Sequence, residues 1–216
     1  MRDVEAQREE ALPSQYPYVA EDIVFLYKPR PGVWLDIGSG SGGLGLALAA
    51  RSPESVVVLL DPRTDALEKA LAAAGDQSLR SRIVTVIGSA EKMPLPDACV
   101  DLVVSRGSVF FWQDRTQGIR EAFRVLRPGG EAMIGGGLGR SYPAWARTEF
   151  IRRQRESLRR KGPEAMRQFR EARSRETFER LAREAGLACF TVLGEGGLSE
   201  ADPEAGIGVW LRFSKE

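Results

Sequence analysis

The chain has no histidine among its 216 residues. That removes the commonest general base and the commonest nitrogen ligand of transition metals. Serine–histidine and cysteine–histidine catalysis go with it, as do histidine-held metal sites. Cysteine is nearly as scarce, at two residues. Cys99 and Cys189 lie far apart, each in an apolar run. They read as two separate buried thiols in a reducing compartment, too few for a thiolate metal site or for cysteine-relay chemistry on arsenic. No apolar run approaches the roughly 18 residues of a membrane-spanning helix. The charged start, Met1-Arg2-Asp3-Val4-Glu5, lacks the apolar centre of a secretion signal, and the expectation is a cytoplasmic protein. Net charge is also nearly absent, at +1, and says nothing global about partners. There are no repeats and no independent linker. The length, with 43% hydrophobic and 28% charged residues, fits one ordinary soluble domain, residues 1–216, with a full core.

What the chain does have is glycine, concentrated in one stretch. Val33 to Ile37 is an apolar run of β-formers and reads as a buried strand. Gly38, Gly40, Gly42 and Gly43 follow, and small and apolar residues at helical spacing begin at Leu44. A strand, a glycine turn and a helix start together make a nucleotide-type site at the carboxyl edge of a parallel sheet. Gly38, Gly40 and Gly43 satisfy the dinucleotide spacing, which is a weak signal alone. Asp36 points the other way. A carboxylate beside the loop repels a pyrophosphate and suits a cationic ligand.

The rest of the chain alternates in the same manner. Val19 to Tyr27 reads as a helix, preceded by a break at Ser14 to Tyr18 and stopped by Lys28 to Gly32. Val56 to Leu60 is a second buried strand ending in Asp61, placed to accept from both hydroxyls of a ribose. Asp65 to Ala74 reads as a helix ended by Gly75. Ile83 to Ile87 and Val100 to Ser105 are the third and fourth strands, and Gly118 to Leu126 a helix between the fourth and fifth. Arg127-Pro128-Gly129-Gly130 turns into a fifth strand from Glu131 to Ile134. Residues 140–174 read as one or two helices broken at Gly162-Pro163, Arg175 to Ala185 as a further helix, Ala188 to Leu193 and Gly206 to Phe213 as the last strands.

Asp36-x-Gly38-x-Gly40-x-Gly42 resembles the first motif of class I S-adenosylmethionine (SAM) methyltransferases. Gly88-Ser89-Ala90-Glu91-Lys92-Met93-Pro94 resembles the Gly-Asp-Ala-Glu-x-Leu-Pro segment of the small-molecule group, with Ser89 where an acid usually stands. The fourth strand and Arg127-Pro128-Gly129-Gly130 are similar to elements of the menaquinone and ubiquinone C-methyltransferases. Ser105 to Trp112, with Ile134-Gly135-Gly136-Gly137, looks like a subgroup of small prokaryotic methyltransferases. These segments span residues 33–136. The resemblance implies an α/β Rossmann-like fold, a seven-stranded mostly parallel sheet in the order 3-2-1-4-5-7-6 with strand 7 antiparallel and helices on both faces. It implies SAM as cofactor and S-adenosylhomocysteine as product. It also implies a helical cap at residues 1–30 and a helical lid at 140–174.

The residues expected to hold the cofactor are Asp36, Gly38, Ser39, Gly40, Gly42, Asp61, Pro62, Ser89, Ala90, Glu91, Ser105 and Gly107. Arg106, Trp112 and Tyr16 are expected at the acceptor, with Tyr18, Phe110 and Phe111 as further candidates. Gly135 to Gly137 are expected to leave room for it, and no metal is implied. Methyl transfer needs alignment and removal of water more than acid–base chemistry, so a chain without histidine can do it on a thiol, an activated carbon or an amine. Three classes stay open: a small-molecule methyltransferase, an RNA methyltransferase, and a non-catalytic SAM-binding protein or a dehydrogenase with the same turn. The RNA reading draws on residues 147–184, where 13 Lys and Arg meet 7 Glu. The interleaved glutamates speak for a solvated helix instead. Oligomeric state is not legible.

Overall fold

The fold is taken from a computed structural model that describes residues 11–194 and 208–216. The elements in chain order are α1 (Tyr16–Tyr27), β1 (Val33–Ile37), α2 (Gly43–Arg51), β2 (Val56–Asp61), α3 (Thr64–Asp76), β3 (Ile83–Ile87), β4 (Val100–Arg106), α4 (Arg115–Val125) and β5 (Leu126–Gly136), followed by α5 (Ala144–Lys161), α6 (Pro163–Ala172), α7 (Arg175–Glu184), β6 (Phe190–Leu193) and β7 (Val209–Ser214). One sheet takes in all seven strands in the order β3-β2-β1-β4-β5-β7-β6. Strands β1 to β5 pair in parallel, and β7 runs antiparallel to both β5 and β6. The implied topology is the observed one.

Strand side chains alternate between the faces, and that alternation builds two cores. Leu35, Ile37, Val58 and Leu60 pack with Ile119 of α4 and Phe178 of α7 on one face. Trp34, Val57 and Leu59 pack with Ile23 of α1, Leu46 of α2 and Leu67 of α3 on the other. The order of strand addition reverses between β1 and β4, so the carboxyl ends of these parallel central strands open a crevice.

Several boundaries differ from the sequence reading, each for a local reason. Helix α1 starts at Tyr16, with Pro17 in its first turn, where a missing N–H leaves no bond unmade. Helix α4 starts at Arg115, because Asp114 caps it by accepting from Gln117 N at 2.9 Å. Helix α3 continues through Gly75. The Arg127-Pro128-Gly129-Gly130 turn is an excursion inside β5, whose register jumps from Val100↔Leu126 to Leu102↔Glu131. Arg127 Nη1 reaches Asp101 Oδ2 at 2.6 Å, and the same oxygen accepts from Val33 N at 2.8 Å. Residues 1–10 of the charged start, and Gly206 and Ile207 of the expected last strand, lie outside the described residues. The cysteines are both free, but Cys189 is exposed, since it precedes the edge strand β6 and faces outward. Among the described residues no helix is long and apolar enough to cross a membrane.

Candidate active site

A cavity of about 1050 Å³ opens at the carboxyl ends of β1, β2 and β4. It is lined by Gly38 and Gly40 of the glycine turn and Asp61, Pro62 and Arg63 after β2. Gly88 to Glu91 after β3, and Gly107, Ser108, Phe111 and Trp112 after β4, complete the wall with Gln113, Asp114 and Gln117. The sequence segments identified separately therefore meet in one place.

The glycine turn is tied down by the ends of β1 and β2. Gly38 N and Ser39 N both donate to Leu60 O, at 2.7 and 3.1 Å. Gly40 N donates to Asp61 Oδ2 at 2.8 Å, and Asp36 Oδ2 accepts from Gly45 N at 2.9 Å. Gly38 has φ +66°, and a Cβ there would overlap Ser108. The first amides of the turn are thus used by β2, and the start of α2 is covered by a buried carboxylate and by the Tyr16 ring, which occupies the space a Cβ on Gly43 would need. A pyrophosphate finds the Gly38, Ser39 and Gly40 N–H groups already bonded and the Asp61 carboxylate beside them. A cationic ligand finds Asp61, 5% exposed, on the wall, with Asp36, 2% exposed, behind it. Burial pushes the Asp36 carboxyl up to about 7, with Asp61 adding to the rise and the Gly45 N–H opposing it.

Two further observations fit a nucleoside in this cavity. Asp61 accepts from Gly40 N and, through Oδ1, from Arg63 N at 3.0 Å. A carboxylate has about four lone-pair sites, so two remain for a vicinal diol. The Ser39 hydroxyl is buried and has no hydrogen-bond partner among the described residues, which is rare without a ligand group or water to meet it.

The expected residues divide into those on the wall and those behind it. Gly38, Gly40, Asp61, Pro62, Ser89, Ala90, Glu91, Gly107 and Trp112 line the cavity. The Glu91 carboxylate, however, turns to the next loop and accepts from Gln113 N at 2.8 Å. Asp36 and Ser39 are not on the wall, and Gly42 faces inward, against Ala70 and Leu59. Ser105 is fully buried behind the wall. Its hydroxyl lies 2.6 Å from Ser108 Oγ, which donates to Ile37 O at 2.8 Å and accepts from Trp112 Nε1 at 3.1 Å. Ser108 is the residue that sequence reasoning missed. It was visible only as the fourth letter of the Ser105-Arg106-Gly107-Ser108 segment.

Around the acceptor side the aromatic run separates. Phe111 is 85% exposed at the cavity mouth. Trp112 lies along the wall, held against Gly118. Phe110 turns away and packs edge-on to Phe178, ring centres 6.1 Å apart. Arg106 is buried under α1, where its Nε donates to Gly137 O at 2.8 Å and its Nη2 to Gln15 Oε1, with the Tyr16 ring 5.2 Å from its Cζ. Tyr18 packs edge-on to Tyr142 at 5.3 Å. The expectation that Gly135 and Gly136 leave space for an acceptor is not met. A Cβ on Gly135 would strike the backbone of β7, and one on Gly136 the Phe110 ring. These glycines permit packing.

The basic helices are largely neutralised along their own length. Arg152 reaches Glu149 and Glu156 at 2.7 Å each, Arg153 reaches Glu149 at 2.6 Å, and Arg183 reaches Glu179 at 3.0 Å.

The family model for a methyltransferase domain matches residues 35–134. A rice (Oryza sativa subsp. japonica) chloroplast 2-methyl-6-phytyl-1,4-hydroquinone methyltransferase is 39% identical over 117 residues, 54% of this chain and 32% of that one. A ubiquinone/menaquinone biosynthesis C-methyltransferase of Geotalea daltonii is 32% identical over 109 residues, 50% of this chain and 46% of that one. This chain thus spans less than half the length of these two curated relatives. A solved structure from Methanococcus maripaludis, a protein assigned to the SAM-dependent methyltransferases, superposes with TM-score 0.74 and 34% identity, covering 93% of this chain and 85% of that one. Likeness of that extent, in sequence as well as backbone, shows that the chain belongs to the class I SAM-dependent methyltransferases, whose cofactor is SAM.

Proposed function

We propose that this protein transfers a methyl group from SAM to a small molecule carrying a nucleophilic sulfur, carbon or nitrogen. The observation that carries the reading is the pair of buried carboxylates, Asp36 and Asp61, bracketing a glycine turn whose Gly38, Ser39 and Gly40 amides are already used. Bound there, SAM supplies an electrophilic methyl on a sulfonium. The chain supplies position and dryness. Asp61 takes the ribose hydroxyls, the Ser39 hydroxyl takes a polar atom of the same ligand, and Asp36 offsets its positive charge. Ser89 and Ala90 form the wall against the base. Gly107 brings the β4 end close to the reacting centre, and Trp112 and Phe111 shield it from water. Holding two reactants in line supplies roughly 7–11 kcal/mol of a barrier, so no histidine base is required.

The described part of the expected cap, residues 11–30, acts as cap and 140–174 as lid in this reading, with Arg106 fastening the cap. The quinone-ring substrates named for the relatives make an activated ring carbon the first acceptor to try. The paired arginines of α5 and α7 support a solvated lid over an RNA-tracking surface. Calorimetry with SAM and with NAD tests the reading at its root, and tight NAD binding without SAM binding would reject it. A panel of quinol, thiol and amine acceptors, scored by S-adenosylhomocysteine release, then identifies the nucleophile.

A further inference from the structure

Arg173, at the end of α6, has no counter-charge among the described residues. Its guanidinium carbon lies 3.7 Å from the centre of the Phe110 ring and 3.9 Å from that of Phe169. Neighbouring arginines of the same segment pair with glutamates, but Arg173 has no carboxylate and no side-chain hydrogen bond among the described residues. Burial, and then the nearby Arg115 guanidinium, pull its pKa down to about 10, below the ordinary guanidinium range. A guanidinium taken out of water beside a second one is a destabilising arrangement unless an anion completes it.

Its place in the fold says which anion. Arg115 donates to Ala172 O at 3.2 Å and to Phe110 O at 3.4 Å, stapling the end of α6 to the turn after β4. Phe110 fills the space above Gly136 of β5, while the next two residues, Phe111 and Trp112, line the cavity. Arg173 therefore stands behind the turn whose next residues form the cavity wall, outside the lining itself. Rings on its flanks leave the in-plane N–H edge as the available surface, which is the edge that matches a planar carboxylate or a phosphate.

We propose that Arg173 binds an oxyanion, a carboxylate or phosphate group carried by the methyl acceptor, with Arg115 adding charge and the two rings holding the guanidinium in place. That the anion belongs to the acceptor rests on the methyl-transfer reading, whereas the anion site itself does not. Arg106, the arginine expected at the acceptor from the sequence, has two of its nitrogens bonded to its own chain.

The test uses the full chain, labelled with ¹⁵N, and two probes, inorganic phosphate and acetate, at ionic strength fixed with sodium chloride. The Nε–H resonance of Arg173 sits between two rings and is identified by its loss in Arg173→Lys. At least one probe should move it saturably, and Arg173→Gln should weaken that binding at least about tenfold while SAM affinity, by calorimetry, stays unchanged. Response to phosphate alone assigns a phosphate group, to acetate alone a carboxylate. A resonance indifferent to both probes, or equal binding by Arg173→Gln, overturns the inference. Should that variant not fold, Phe169→Leu, which keeps the charge and removes one ring, must weaken anion binding, and unchanged binding overturns it equally. Failure of SAM to bind beside an intact anion titration would instead remove the methyl-transfer reading and leave the anion site standing.

Discussion

Asp61 Oδ2 lies 2.8 Å from Gly40 N, so the acid that ends β2 also fixes the middle of the glycine turn. The same carboxylate is proposed to hold the ribose, which makes it both a structural and a binding group. Asp61→Ala should therefore weaken SAM binding by at least about tenfold, since each charge-assisted bond contributes roughly 1.5–3 kcal/mol. It should lower the melting temperature as well. Calorimetry and thermal unfolding on the same sample check both, and undiminished affinity would place the ribose elsewhere.

Asp36 should make cofactor binding depend on pH. Its carboxyl titrates at about 7, raised by burial and by Asp61. A cationic ligand favours the carboxylate, so SAM affinity should rise as pH passes through 7 and then level off, with proton release below that point. Stability runs the other way. The folded pKa lies above the ordinary 3.8, so the folded state holds the extra proton between about pH 4 and 7. The contribution of Asp36 is greatest at pH 4 and falls as pH rises to 7. Asp36→Asn should remove both slopes and stabilise the ligand-free protein at pH 8, by up to roughly 4 kcal/mol, while weakening SAM. Parallel melting curves for the two proteins from pH 4 to 8 would reject the assignment.

Ser108 is the joint between the glycine turn and the acceptor wall, through Ile37 O, Ser105 and Trp112. Ser108→Ala leaves a buried hydroxyl and an indole N–H without their partner, for a loss of about 1–3 kcal/mol. The Trp112 fluorescence should shift in the ligand-free protein. Melting and emission identical to the parent would mean that the contact is incidental.

Trp112→Ala and Arg106→Ala separate the wall from the cap. Both should leave SAM affinity nearly unchanged and cut turnover at least about tenfold, or 1.4 kcal/mol. Only Arg106→Ala should speed proteolysis near α1, because it releases Gln15 and Gly137. Unchanged turnover in both would move the acceptor away from β4.

Reversing Arg152, Arg153, Arg159 and Arg160 to Glu should not alter RNA binding, which is expected to be weak and non-specific in the parent. Tight, salt-dependent RNA binding lost on reversal would revive the nucleic-acid reading.

The sequence by itself determined the sheet and the place of the site. Alternating apolar runs with glycine turns between them have few ways to bury both faces, and the resemblance of Asp36, Ser89 to Glu91 and the Arg127 turn narrowed those to one strand order. These are local signals, carried by period and backbone permissiveness. What only the tertiary structure decided is direction. Glu91 turns to the next loop and Arg106 goes under α1. Phe110, Phe111 and Trp112 divide among core, mouth and wall. Gly135 and Gly136 yield their space to β7 and a ring. Such outcomes depend on which neighbours arrive from distant segments to fill a volume or take a hydrogen bond, and composition does not encode that. Arg173 is the clearest case. In sequence it is one arginine among 13 basic residues from Arg147 to Glu184, and only packing sets it against Phe110 and Phe169 with no carboxylate among the described residues.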